Sequence, residues 1–263
     1  TESKMPSEIL KEKIDSTRRE IASTKDMVQG QLQQAEEQSI LRQHAMSAKK
    51  YALKQSMKSY AEAGIEAMQQ SQNNPYAKDD VFVAPENIWP EMGYGSHPEE
   101  LIELVQNARK AMVKHLIESH IEDPAGKLYS EKEAKSMGDL DLIGTPHMVT
   151  NPDYTKMTKE QAEKEAKDHI KATLDTQHMG MWFDSFEPLP KETRQDRRKR
   201  FNKWYLEEVE KLGKADIIGN IHLVDAIGGS HQHLVAGQGD LPLKETLTIL
   251  KKHGFKGTIN SEA

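Results

Sequence analysis

From residue 81 onward, short apolar runs take turns with helical patterns, and this alternation constrains the fold more than any other feature. The runs are Val81-Phe82-Val83-Ala84, Ile170 to Leu174, Ile217 to Val224 and Gly257 to Asn260. Between them lie helical patterns from Pro98 to about Ile121, over 158–168, over 192–213 and over 242–253. Thr158 with Gln161 three residues later is the spacing of a capping box, which satisfies two free N–H groups at a helix start. Strands alternating with helices make β/α units around a parallel sheet, so the expected class is α/β. The stretch 122–157 carries Pro124, Gly126, Gly138, Gly144, Pro146 and Pro152, and reads as an irregular insertion over the sheet.

Residues 1–75 differ in kind. Pro6 is the only proline before Pro75, and Gln, Lys, Glu, Ala and Ser dominate, a mixture that favours long exposed helices. Ile14, Ile21 and Val28 recur every seven residues, with Leu10 and Leu32 beside them, a narrow apolar seam suited to a helical hairpin or short coiled coil. Helices are expected from Ser7 and over Leu41 to Met68, making a helical arm over 1–75 ahead of an α/β domain over 76–263.

Composition removes several classes of function. There is no apolar run of about 18 residues, so no membrane span is expected. No secretory signal pattern is visible, so a cytoplasmic location is the expectation. The chain has no cysteine, which excludes thiol catalysis and leaves any metal to its eleven histidines and its carboxylates. A net charge of −6 gives no support to nonspecific DNA binding.

Ligands of parallel α/β folds sit at the carboxyl ends of the strands. Each apolar run here ends in residues that can hold a cation: Glu86, Asp175 with His178, His222 with Asp225, and Glu262. Singly, an acid after a strand commonly caps the next helix; four in succession point to a divalent metal, Zn²⁺ or Mn²⁺ first and Mg²⁺ next. The segment 219–243 is densest. His231 and His233 fall on one side of an extended chain, where with His178 they are candidates for a second ion. Gly237 and Gly239, in Gly237-Gln238-Gly239-Asp240, let backbone approach a ligand, and Asp225 joins them as a candidate substrate contact.

Val83-Ala84-Pro85-Glu86-Asn87, Leu174-Asp175-Thr176-Gln177-His178, Ile221-His222-Leu223-Val224-Asp225, the Gly237–Asp240 turn and Asn260-Ser261-Glu262 together resemble the second half of a xylose-isomerase-like TIM barrel. That superfamily holds endonuclease IV, or AP endonuclease family 2, and sugar (phosphate) isomerases and epimerases. The resemblance spans roughly residues 80–263. It implies Glu86, Asp175, His222 and Glu262 as a shared metal set. It also implies a further zinc at His178, His231 and His233, although the first of that pair is acidic in endonuclease IV-like members. An eight-unit barrel takes about 250 residues. Four strands after a helical arm therefore lead us to expect an incomplete barrel, its N-terminal half on a missing segment or another chain.

Three functions follow from this reading. The first is a metal-dependent enzyme acting on a sugar or sugar phosphate. In it Glu86 or Glu262 is the general base beside a carbonyl and His178 contacts a substrate oxygen. The second is an endonuclease IV-like zinc phosphodiesterase on abasic DNA, favoured by the three extra histidines. Arg194, Arg197, Arg198, Lys199, Arg200 and Lys203 are then either phosphate contacts or a solvated helix face. The third is a non-catalytic barrel remnant that serves as a scaffold.

Overall fold

The computed structural model describes residues 5–44, 47–74 and 80–262. The domain boundary expected at residues 75–76 lies outside them. The chain forms two compact units. One holds the residues up to Tyr51 together with Glu122–His147. The other holds Ala52–Ile121 and the chain from Met148 on.

The sequence's long polar start is helical. Helix α1 runs Pro6–His44, and α2 runs Ala48–Asn73. Every side chain of α1 from Pro6 to Ala35 is exposed, including the apolar residues of the seven-residue seam. The second half of α2 behaves differently: Ala61, Ile65 and Met68 are buried in the core of the second unit. Among the described residues, no helix is long and apolar enough to cross a membrane.

Further elements follow in chain order: α3 (Pro98–Ile117), β1 (His120–Glu122), α4 (Glu131–Met137), β2 (Met148–Thr150), α5 (Lys159–His169), β3 (Ala172–Asp175), α6 (Thr176–Gly180), α7 (Arg194–Ala215), β4 (Ile218–His222), α8 (Leu243–Lys252) and β5 (Thr258–Asn260). The insertion has more regular structure than its prolines and glycines suggest. Helix α4 starts at a complete Ser130–Glu133 capping box and ends on Gly138 at φ +74°. The Tyr129 ring stacks on His147 at 3.9 Å. The β1 segment also explains why α3 stops at Ile117, four residues short of the expected end.

Strands β3, β4 and β5 form a parallel sheet in that order. Asp175 faces His222 across β3–β4, and His222 faces Asn260 across β4–β5. Residues 83–86 lie on the far side of β3, through parallel bridges Val83 to Ile170 and Glu86 to Thr173. The expected first strand therefore forms as isolated bridges. Pro85 interrupts it, because it has no N–H to give and only accepts from Thr173 N–H, at 3.0 Å. The four segments are parallel neighbours in sequence order, as in a β/α barrel. Among the described residues they do not close into one.

Helices α3, α5, α7 and α8 cover this sheet around a core that includes Leu101, Met112, Ile170, Leu174, Phe201, Tyr205, Ile221 and Leu250. Their ends follow local chemistry. Thr158 and Gln161 form the expected capping box of α5, and Thr193 caps α7. Arg109 reaches from α3 to the carbonyls of Ile170 (2.8 Å) and Asp216 (3.1 Å), near the starts of β3 and β4.

β5 comes so close to β4 that a Cβ at Gly257 would lie 1.9 Å from the Gly219 carbonyl oxygen. Backbone rather than a flexible side chain opposes it, so the strands must separate. Gly257→Ala is expected to cost about 1–3 kcal/mol of unfolding free energy in urea titration. A loss under a few tenths would show that β5 yields freely.

Candidate metal centre

β3 and β4 end together, and their paired last residues supply two cation donors. Asp175 and His222 are register partners, so their side chains leave the same face of the sheet. The Glu86–Thr173 bridge places Glu86 beside them from the preceding segment. Glu86, Asp175 and His222 each offer a ligand atom, and these atoms all lie within 4.8 Å of one another. His222 Nδ1 is 3.6 Å from Glu86 Oε1, 4.0 Å from Asp175 Oδ2 and 3.1 Å from Glu262 Oε1. Glu262, just past β5, thus joins the group at its exposed edge through His222.

The cluster's centre is electrically incomplete. Asp175 Oδ2 is buried with no hydrogen-bond partner, and the buried His222 Nδ1 is met only by carboxylate oxygens, Glu262 Oε1 nearest at 3.1 Å. A buried carboxylate oxygen without a partner is costly, and among three converging carboxylates it marks a place for positive charge. Asp175 Oδ1 is occupied, because it accepts the His178 N–H at 2.8 Å and so caps α6. Burial pushes the Asp175 carboxyl above its ordinary range, and the hydrogen bond from His178 N–H opposes that. Glu86 behaves oppositely: its hydrogen bond to His178 holds it below the usual range against the effect of burial. Two carboxylates and an imidazole, with one carboxylate oxygen left unpartnered, are a hard, mixed O/N donor set that fits a divalent cation.

His178 stands beside this group with a fixed ring. Its Nδ1 lies 2.9 Å from the Asn87 carbonyl oxygen, 3.3 Å from Glu86 Oε1 and 3.9 Å from Asp175 Oδ2. Donation to a backbone carbonyl sets which nitrogen carries the proton and leaves Nε2 for a ligand. Burial disfavours the charged ring, but the Glu86 hydrogen bond and the Asp175 charge outweigh it and raise its pKa.

His231 and His233 lie at the exposed rim. The His231 ring is 5.6 Å from His178 and 5.5 Å from His233, and His233 Nδ1 is 3.2 Å from the Glu262 carbonyl oxygen. Asp225, Gly237 and Gly239 are held together as one loop. The buried Asp225 carboxylate accepts N–H groups of Ala226 (2.9 Å), Gly237 (2.8 Å) and Leu241 (3.2 Å). A Cβ at Gly239 would collide with that carboxylate at 2.2 Å, and Gly237 has φ +94°. Asp225 therefore organises the loop that carries His231 and His233.

Two residues important to this geometry gave no separate signal in the sequence. Buried Asn87 accepts the Asp175 N–H (2.7 Å) and donates to the Asp175 carbonyl (3.0 Å), so its side chain extends the ladder where the backbone pairing ends. Trp89 packs on His178 at 5.3 Å and on His231 at 5.2 Å. An aromatic three residues after Glu86 was the available clue.

Three arginines of α7 are engaged within the protein, while Arg194 is exposed. Arg197 donates to the Phe183 carbonyl at 3.0 Å and to the Phe186 carbonyl. Arg198 pairs with Asp240 at 3.0 Å, and Arg200 with Glu192 at 2.9 Å.

Residues 146–263 match the family model of the xylose isomerase-like TIM barrel. The match contains Asp175, His178, His222, His231, His233 and Glu262, while Glu86 precedes it. No curated protein and no solved structure matches the chain.

Proposed function

We propose that this xylose isomerase-like segment, with Glu86, forms a divalent-metal-dependent enzyme that moves a proton next to the carbonyl of a sugar or sugar phosphate. One observation carries the reading. The register-paired Asp175 and His222 bring ligand atoms within 4.8 Å of each other and of Glu86, and the buried Asp175 Oδ2 among them has no partner. Glu86, Asp175 and His222 would hold Mn²⁺ or Zn²⁺, with Glu262 as a fourth donor or as a carboxylate free to react. The cation, when bound, supplies Lewis-acid polarisation of a carbonyl oxygen.

The protein's own groups divide the remaining work. Glu86 is tied to His178 and kept charged, which suits a ligand better than a base. Glu262 touches the cluster through His222 and is open to solvent, so it is the better placed general base. His178 keeps a proton on Nδ1 through Asn87 and presents Nε2 to a substrate oxygen. Trp89 covers one side of the imidazoles with an apolar surface. Further strands from another segment or chain would pair at residues 83–86 and at the outer edge of β5.

The histidines at the rim favour one alternative, a zinc phosphodiesterase on abasic DNA, since multi-zinc hydrolysis draws on more imidazoles. Against it, Arg197, Arg198 and Arg200 are already engaged, which leaves only Arg194, Lys199 and Lys203 of that basic cluster exposed.

The test incubates the chain, loaded in turn with Mn²⁺, Zn²⁺ and Mg²⁺, with a panel of sugar phosphates in deuterated water. Metal-dependent deuterium uptake next to the carbonyl, lost in Glu262→Gln, is the expected result. Incision of an abasic-site duplex without deuterium uptake would replace this reading with the alternative. Neither activity with any metal would overturn both.

A further inference from the structure

Helix α1 is 39 residues long, and thirty consecutive side chains, Pro6 to Ala35, face solvent. Most of its apolar residues fall on one stripe, with Ile9 off it. Ile14, Ile21 and Val28 recur at seven-residue intervals, with Leu10 four residues before the first and Leu32 four after the last. Ile21 is 64 % exposed and Leu10 60 %. An amphipathic helix normally gains its stability by burying such a seam.

The seam has the surface form of a coiled-coil half. A concavity along α1 is lined by Thr17, Glu20, Ile21, Thr24, Lys25 and Val28. In heptad terms, with Ile14, Ile21 and Val28 at a, these are positions d, g, a, d, e and a. Two overlapping sets of four, Thr17-Glu20-Ile21-Thr24 and Ile21-Thr24-Lys25-Val28, are the holes that receive an a and a d side chain in a parallel pair. Thr24 is prepared for burial, because its hydroxyl donates to the Glu20 carbonyl at 2.8 Å and leaves its methyl group for the seam.

We infer that α1 pairs with α1 of a second copy of this chain as a parallel two-stranded coiled coil from Leu10 to Leu32, a contact about 33 Å long. β-Branched residues at a with Leu at d favour two parallel strands, a pattern met in full at Leu10 and Ile14, with Thr17, Thr24 and Gln31 at the later d positions. Flanking charges select the same arrangement. All three e positions from Lys11 to Lys25 are basic, with Arg18 between them, so an antiparallel pair would set like charges opposite each other. In the parallel pair, g meets e of the following heptad in the other copy. Glu20 then faces Lys25, and Met27 faces Leu32. The one unfavourable pair, Lys13 with Arg18, is relieved because Arg18 lies 3.8 Å from Asp15 of its own helix.

The test is sedimentation equilibrium of the full chain from low micromolar to submillimolar concentration. A reversible dimer is expected, with Ile21→Asp raising its dissociation constant at least about 100-fold. Glu20→Lys should weaken the dimer, and the double variant Glu20→Lys/Lys25→Glu should restore it, because only the paired register brings those residues together. A wild-type monomer throughout, a dimer indifferent to Ile21→Asp, or no restoration by the double exchange would overturn the assignment.

Discussion

A chain carrying His222→Ala should bind Mn²⁺ or Zn²⁺ at least about 100-fold more weakly than the unsubstituted chain, measured by competition with a chelating dye. His222 is the hub of the cluster, since its Nδ1 lies within 4.0 Å of Glu86, Asp175 and Glu262. Its removal leaves three carboxylates, and the imidazole that remains beside them, His178, has its Nδ1 taken up by the Asn87 carbonyl. The side chain is partly exposed and its ring is not in the hydrophobic core, so far-UV circular dichroism and the unfolding midpoint should change little. Affinity within threefold of the unsubstituted chain would place any bound cation elsewhere.

Tyr205→Ala is expected to be the costliest single change in the core, at about 3–5 kcal/mol. The side chain is fully buried, its ring lies 5.9 Å from Phe201, and its hydroxyl donates to the Thr176 carbonyl at 3.1 Å. Thr176 directly follows Asp175 and also bonds across to the segment just after β4, where its hydroxyl accepts the Val224 N–H at 2.9 Å. Tyr205→Phe isolates the polar part and should cost about 1–2 kcal/mol, since it leaves a buried carbonyl without its donor. Urea unfolding of the two variants checks both figures. A loss below 1 kcal/mol for Tyr205→Ala would mean that α7 and the β3–α6 turn are not mechanically linked.

What the sequence disclosed follows from the range of each interaction. The start of α5 was readable because Thr158 and Gln161 are three residues apart and satisfy each other's neighbours locally. Ser130 and Glu133 carry the same signal for α4, hidden among prolines and glycines that suggested irregular chain. The segment 81–84 looked like a full strand, yet Pro85 limits it to isolated bridges. Asp175 and His222 could be located at strand ends, whereas their direct pairing depends on a register shift between Ala172 and Thr173 that no local pattern encodes. Asn87 and Trp89 were silent because their roles lie in contacts with residues about 90 positions away. Asp225, expected near a substrate, binds three N–H groups of its own loop.

The direct pairing of Asp175 with His222 has a consequence for how such a centre keeps its size. Neighbouring strands lie about 4.8 Å apart because peptide hydrogen bonds have one length. A tetrahedral cation with donors at about 2.0–2.2 Å sets neighbouring donors roughly 3.4 Å apart, and Asp175 Oδ2 and His222 Nδ1 stand 4.0 Å apart, between that and the strand spacing. The sheet thus acts as a gauge block: the spacing between two of the ligands is inherited from the backbone and needs no side chain to tune it. Helices and loops around it can drift in sequence without altering that dimension. A single residue inserted into β3 or β4 would instead turn one donor to the opposite face of the sheet, and no compensating substitution at the donors themselves could bring it back.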